Sequence, residues 1–287
     1  MDRISSPKKT KEIVQKYEFK FSKSLGQNFL IDQNILDNIV DGANVSEGDC
    51  IIEVGPGIGS LTQNIAERAD SVLAVEIDKT LIPILKETLG AYPNVEVINE
   101  DVLKLDLHKL IEEKFPGRNV KVIANLPYYV TTPIIMKFLE EKVPVKSLTI
   151  MIQKEVADRM QAGPGTKDYG ALSIAVQYYS NPKILLKVPP SVFIPQPKVE
   201  STVIRLDILD TPKVSVERED LFFSLVKDAF GKRRKTLLNA LSTGDLKLEK
   251  SLLREVLAAS NIDENRRGET LTIEEYGVLA NNLAKKL

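Results

Sequence analysis

The sequence predicts an α/β fold: a mostly parallel sheet with helices on both faces, an antiparallel addition at one edge, and a small all-α C-terminal domain. Three observations carry this. From Cys50 to Ile152, short apolar runs alternate with stretches of helical period, the signature of a parallel sheet. A glycine-rich turn stands where the first of those strands ends. Beyond Thr211-Pro212 every segment has helical spacing and no further strand is read.

Each element has a local reason. Ser6-Pro7 before KKTKEIVQKY is a capped helix start with proline at the first helical position. The loop KSLGQNFL follows, then a helix over Gln33–Val40 that ends near Gly42. Strands are expected at Cys50–Val54, Ser71–Glu76, Val95–Asn99, Val120–Asn125 and Ser147–Ile152. Helices are expected between them at Ser60–Ala69, Lys79–Leu89, Leu107–Phe115 and Pro133–Glu141. Ile184–Val188 and Thr202–Ile208 read as strands flanking a proline-rich loop, VPPSVFIPQPKVES, with no helix between them, hence the antiparallel edge. Asp220–Phe230, Arg234–Leu241, Ser251–Ala259 and Ile273–Lys286 read as helices. The domain boundary is expected near Ile208, giving domains of 1–208 and 209–287.

Composition excludes several classes. With 43% hydrophobic and 28% charged residues, a core and a solvated surface are both available, so wholesale disorder is excluded. No apolar run approaches the roughly 18 residues of a membrane span. The first 23 residues are charged rather than apolar, unlike a secretory leader. Cys50 is the only cysteine and His108 the only histidine, which excludes an intrachain disulfide, a cysteine-cluster zinc site and multi-histidine metal sites. No metal is expected, and a reduced, cytoplasmic setting is. The net charge of −1 is unevenly spread. Residues 1–23 carry seven basic and three acidic side chains, and residues 227–237 carry five basic and one acidic, around a middle (41–120) with seven basic and fifteen acidic. Brought together, the basic segments would suit phosphates.

The chemistry is read at the strand ends. In EVGPGIGSLT, Gly55, Gly57 and Gly59 allow a tight turn and close approach of backbone to a ligand. The third glycine comes one residue too early for the dinucleotide pattern. The E-x-G-x-G-x-G string instead resembles the first motif of class I S-adenosylmethionine-dependent methyltransferases. Glu76, 21 residues after Gly55, is placed to accept from two ribose hydroxyls, and Asp101, after the third strand, from an adenine amino group. The fourth strand ends in Asn125-Leu126-Pro127-Tyr128, which resembles the N-[LIP]-P-[YF] motif of enzymes that methylate planar amino nitrogens. Such a nitrogen is a poor nucleophile because its lone pair is delocalised. Acceptors on both N–H groups pull it toward tetrahedral geometry. Pro127 restricts the turn, and Tyr128 offers a stacking face.

KSLGQNFL, EVGPGIGSLT, VEID, NEDVL, NLPYYV, VPPSVFIPQPKVES and FGKRRKTLLNAL together resemble the bacterial small-subunit ribosomal RNA adenine dimethyltransferases, the family whose loss gives kasugamycin resistance. These motifs run from Lys23 to Leu241, and none departs from the family pattern. The resemblance implies a Rossmann-like methyltransferase domain, S-adenosylmethionine as cofactor, and dimethylation at N6 of two adjacent adenosines near the 3′ end of 16S rRNA. The implied substrate is 16S rRNA within the small ribosomal subunit or its precursor, with no membrane or DNA partner and a monomeric state. The resemblance places Gln27, Asn28 and Leu30 near the methionine end of the cofactor. It places Gly55 and Gly57 against methionine and ribose, Glu76 at the ribose and Asp101 at the adenine, with Ile77 and Val102 also among the cofactor-binding residues. Asn125, Leu126, Pro127 and Tyr128 would present the base, with Asn125 also at the cofactor and Phe193 closing from the other side. Lys23, Lys232, Arg233, Arg234 and Lys235 would contact RNA phosphates. Two other readings stay open: a 23S rRNA adenine dimethylase of the macrolide-resistance type, and a mainly non-catalytic ribosome-assembly factor.

Overall fold

A computed structural model describes residues 3–22 and 25–287. The chain divides into two units, Met1–Ala157 with Lys183–Ile208, and Asp158–Pro182 with Leu209–Leu287. Residues 158–182, placed by the sequence reading within 1–208, therefore cluster with the C-terminal helices.

In the first unit, α1 (Pro7–Lys16) starts at Ser6, whose hydroxyl accepts from Lys9 N at 3.2 Å, with Pro7 at the first position. A two-residue strand β1 (Phe29–Leu30) precedes α2 (Gln33–Gly42), capped by Asp32. Then come β2 (Cys50–Val54), α3 (Ser60–Ala66), β3 (Ser71–Glu76), α4 (Ile82–Thr88), β4 (Val95–Asn99), α5 (Leu107–Lys114), β5 (Val120–Asn125), α6 (Thr131–Glu140) and β6 (Ser147–Gln153). The predicted helix over 60–69 stops at Ala66. There the Asn94 amide donates to the carbonyls of Ala66 and Ala69, taking acceptors that a longer helix would use. The chain continues through α7 (Lys154–Gln161) and α8 (Ala171–Tyr179), then β7 (Ser180–Val188), β8 (Phe193–Ile194) and β9 (Ser201–Ile208).

The main sheet has the order β4-β3-β2-β5-β6-β9-β7. β2 through β6 pair in parallel, and β9 runs antiparallel to β6, so the antiparallel edge is present. β7 starts four residues earlier than predicted and includes Pro182, which an edge strand tolerates. β1 and β8 form a separate antiparallel pair with Leu30 opposite Phe193. β2 is buried along its whole length, and α2 and α3 pack against it through Leu36, Ile39, Val40 and Ile65. Among the described residues no helix is long and apolar enough to cross a membrane.

The second unit holds α8 with α9 (Glu219–Gly231), α10 (Leu237–Ser242), α11 (Lys250–Ala259) and α12 (Ile273–Ala284). Tyr178 of α8 lies 5.0 Å from the Phe222 ring and 5.1 Å from that of Phe223. The segment 209–213 is tied back to α8, Leu209 N donating to Tyr179 O and Lys213 N to Tyr178 O. The predicted helix over 234–241 begins later, at Leu237. Residues 232–235 form a turn closed by Lys235 N donating to Lys232 O at 2.9 Å, and Arg233 is drawn into an ion pair with Glu269.

Candidate active site

The sheet order reverses at β2, whose neighbours are β3 on one side and β5 on the other. In such sheets a crevice opens above the carboxyl ends at that point. A cleft is found there, and the predicted residues from Gln27 to Phe193 line it.

The glycine turn shapes its floor. Gly55, Gly57 and Gly59 all have positive φ, +72°, +60° and +93°. A Cβ on Gly57 would lie 3.1 Å from the Phe29 ring, and one on Gly59 would lie 3.0 Å from Leu89. Gly57 thus seats β1 on the turn, while Gly59 serves packing and the start of α3. On the ligand side, a Cβ on Gly55 would meet only the Asn125 carbonyl, at 4.0 Å.

Two buried carboxyls face this turn. Glu76 is 4% exposed; its Oε1 accepts from Asp78 N at 2.8 Å and its Oε2 from Gly57 N at 3.3 Å. Burial pushes its pKa up to about 7 against those hydrogen bonds. Glu53, at the end of β2, is pushed to about 8 by complete burial, with Thr62 acting in the opposite sense and Glu76 adding to the rise. Glu53 Oε2 has no hydrogen-bond partner among the described residues. An orphaned acceptor, a cradle without Cβ atoms and a carboxyl held on backbone donors fit a polar, hydroxyl-bearing ligand such as S-adenosylmethionine. Asp101 is partly exposed, and its Oδ1 accepts from Leu103 N at 3.0 Å. Val102 is buried, while Ile77 is 51% exposed within the cleft.

At the end of β5, Asn125 Nδ2 donates to the Asn28 carbonyl at 3.2 Å. That contact commits the amide nitrogen and makes Oδ1 the end that accepts. Leu126 is 2% exposed and lines the cleft. Pro127 O accepts from Val130 N and from the Thr131 hydroxyl, fixing the turn into α6. The Tyr128 phenol is hydrogen-bonded to the Ser201 hydroxyl at 2.7 Å. A buried glutamate pair, a glycine cradle and an asparagine with its amide nitrogen engaged thus meet at one sheet end.

A family model described as ribosomal RNA adenine dimethylase matches residues 18–278. The chain belongs to the ribosomal RNA adenine dimethylase family. It is 74% identical over 286 residues to the Ribosomal RNA small subunit methyltransferase A of Alkaliphilus metalliredigens (strain QYMF), covering 100% of both chains. Among solved structures it is similar to a dimethyladenosine transferase from Plasmodium falciparum, with a TM-score of 0.75 and 26% identity over 90% of this chain and 98% of that one. It is also similar to the 23S rRNA methyltransferase ErmE, with a TM-score of 0.68 and 25% identity over 89% and 99%.

Within this adenine dimethylase, the remaining predicted residues take more varied places. Gln27 lines the cleft as a tether: Nε2 donates to Asp78 at 2.7 Å and Oε1 accepts from Ser22 N at 2.8 Å. Burial would raise Asp78, but hydrogen bonds from Thr80 and Gln27 outweigh it and hold the carboxyl below its usual range. Leu30 and Phe193 are cross-strand partners, both buried, and Phe193 touches both the core and the cleft. Lys23 lies outside the described residues. Lys232 donates to Thr243 O, and Arg233 donates to Glu269 and to Lys167 O, while Arg234 and Lys235 are exposed. Three residues without a role in the sequence reading also belong to the cleft or support it: Glu53, Asp78 and Ser201. The first two sit inside quoted motifs, EVGPGIG and VEID. Ser201 closes another quoted string, VPPSVFIPQPKVES, but it was given no role because it opens an antiparallel strand, whereas site residues were sought at strand ends.

Proposed function

We propose that this chain transfers methyl groups to N6 of two adjacent adenosines in a loop near the 3′ end of 16S rRNA, giving N6,N6-dimethyladenosine during small-subunit maturation. The observation that carries the chemistry is the Asn125–Asn28 contact. With its nitrogen engaged, Asn125 offers Oδ1 to one N6–H, and the Leu126 carbonyl offers itself to the other. Both acceptors draw the nitrogen toward tetrahedral geometry, so its lone pair localises and points out of the ring plane. Tyr128 gives the base a face, and Phe193 bounds the opposite wall. Catalysis is mainly positioning and electrostatics. No general base is required, because the N6 proton leaves once the nitrogen is cationic.

Glu76 and Asp101 would hold S-adenosylmethionine by its ribose and adenine, with Gly55, Gly57 and Asn28 toward its methionine end. Bound there, it supplies an electrophilic methyl on a sulfonium. The cradle keeps backbone close on one side, and buried Leu30 and Val102 exclude water. In the second unit, Lys232, Arg234 and Lys235 neutralise RNA phosphates, while Arg233 is used to hold the turn.

The small subunit is favoured over 23S rRNA because a full-length relative sharing three-quarters of the residues carries the small-subunit name. We place the activity in the cytoplasm of a bacterium, with the chain acting as a monomer. The test is methyl transfer from radiolabelled S-adenosylmethionine to small subunits lacking these methyls, with large subunits and protein-free 23S rRNA in parallel. Dimethyladenosine in 16S rRNA alone is the expected result. Label in 23S rRNA would move the chain to the resistance-type reading, and tight binding to small subunits without label to the assembly-factor reading.

A further inference from the structure

We propose that Ser201 is a positioning residue for the target base: its hydroxyl holds the tip of the Tyr128 ring so that the ring stands as a fixed stacking wall. The inference rests on the reading of the cleft as an adenine-methylating site and adds a residue to it.

The geometry comes from the strand direction. β9 runs against β6, with Ser201 opposite Gln153, the last residue of β6. A strand that runs antiparallel brings its first residue, not its last, to the end of the sheet where the parallel strands finish. Ser201 is therefore delivered to the cleft end by a strand that runs antiparallel to β6. It is 1% exposed. Its neighbour Glu200 is pinned by Lys154 N donating to the Glu200 carbonyl at 3.0 Å. The hydroxyl thus sits on a fixed backbone.

Tyr128 is held at its other end. The Pro127 ring limits the turn before it, and the Pro127 carbonyl accepts from Val130 N at 3.2 Å and Thr131 Oγ1 at 3.1 Å. With the backbone fixed, a tyrosine ring keeps two torsions. A hydrogen bond at the phenol oxygen, 2.7 Å from Ser201 Oγ, restrains both. A base stacks productively only on a ring whose plane does not move. Burial raises the phenol above its ordinary value, outweighing the hydrogen bond shared with Ser201 that acts the other way, so Tyr128 remains neutral. It moves no proton, and its link to Ser201 is geometric.

The test is a double-mutant cycle, because the two substitutions remove the same bond. Ser201→Ala and Tyr128→Phe are each expected to lower kcat on methyl-free small subunits by about tenfold, the rate equivalent of about 1.4 kcal/mol and the size of one hydrogen bond. The Kd for S-adenosylmethionine should stay within about twofold of wild type, which a general structural defect would not allow. The double variant should be no slower than either single one. A wild-type kcat in Ser201→Ala, factors that multiply in the double variant, or a matching loss of cofactor affinity overturns the proposal. A second measurement does not depend on the substrate. In ring-labelled protein, the NMR signals of Tyr128 should show a single fixed rotamer in wild type and rotamer averaging in Ser201→Ala. Unchanged ring signals overturn the proposal even if wild type proves to methylate a different RNA. Absence of methyl transfer by wild type would instead count against the proposed function.

Discussion

At Asn125 the two ends of one amide are assigned to different tasks. Its nitrogen is spent on the Asn28 carbonyl, and its oxygen is the acceptor for the base. Removing both should leave binding to small subunits intact while methyl transfer falls by at least about two orders of magnitude, the usual cost of losing an aimed polar group in a transition state. Asn125→Ala, assayed for turnover and for subunit binding side by side, checks this; turnover near wild type would refute the role. Asn125, Glu76 and Asp101 were legible in the sequence because each closes or closely follows a strand in a recognisable string. The partner of Asn125 was not legible, because Asn28 lies 97 residues away and contributes a backbone carbonyl, which leaves no mark on residue type. Gln27 was read as a pocket residue and also proves to be a tether to Asp78, a distinction that only the hydrogen-bond partners reveal.

At the scale of elements, the ends of β2 and β3 place two carboxyls in one buried volume, and this has a pH signature. Unfolded glutamates titrate near 4.5, whereas folded Glu76 titrates at about 7 and Glu53 at about 8. Between those values the folded chain holds more protons than the unfolded one, so these two groups make stability fall as pH rises from about 4.5 to about 8. That is the reverse of an ion-paired carboxylate. Glu53→Gln should flatten the decline: its melting temperature should change less between pH 6 and pH 8.5 than that of wild type, measured without cofactor. An unchanged pH slope would show that Glu53 is not the group being titrated. The sequence read the central strands well because each is a short apolar run flanked by turn residues. It missed α8 for a physical reason. ALSIAVQYY is apolar around most of its circumference and rich in β-branched and aromatic residues, so it shows no one-sided helical stripe. The short pair β1–β8 was invisible because two residues carry no periodicity.

For the whole molecule, the sequence placed a single boundary near residue 208, where the composition turns purely helical. The chain instead passes between its units three times: within α7, within β7 and after β9. Residues 158–182 are separated in sequence from the helices they pack with, and no local signal announces that. A fragment ending at residue 208 should therefore lack partners for α8, leaving Tyr178 and Tyr179 without Phe222 and Phe223. Such a fragment is expected to bind a hydrophobic dye and to be cut rapidly within 158–182 by protease; equal resistance in fragment and full chain would count against this. The β1–β8 pair also has a consequence for synthesis. Leu30 cannot meet Phe193 until some 163 further residues have been translated, a wait of about 8 to 33 seconds at about 5 to 20 residues per second. Through that interval Phe29, Leu30 and the glycine turn beneath them leave the ribosome as unpaired apolar sequence. The pocket therefore gains its second wall late in synthesis, only once Phe193 has been made.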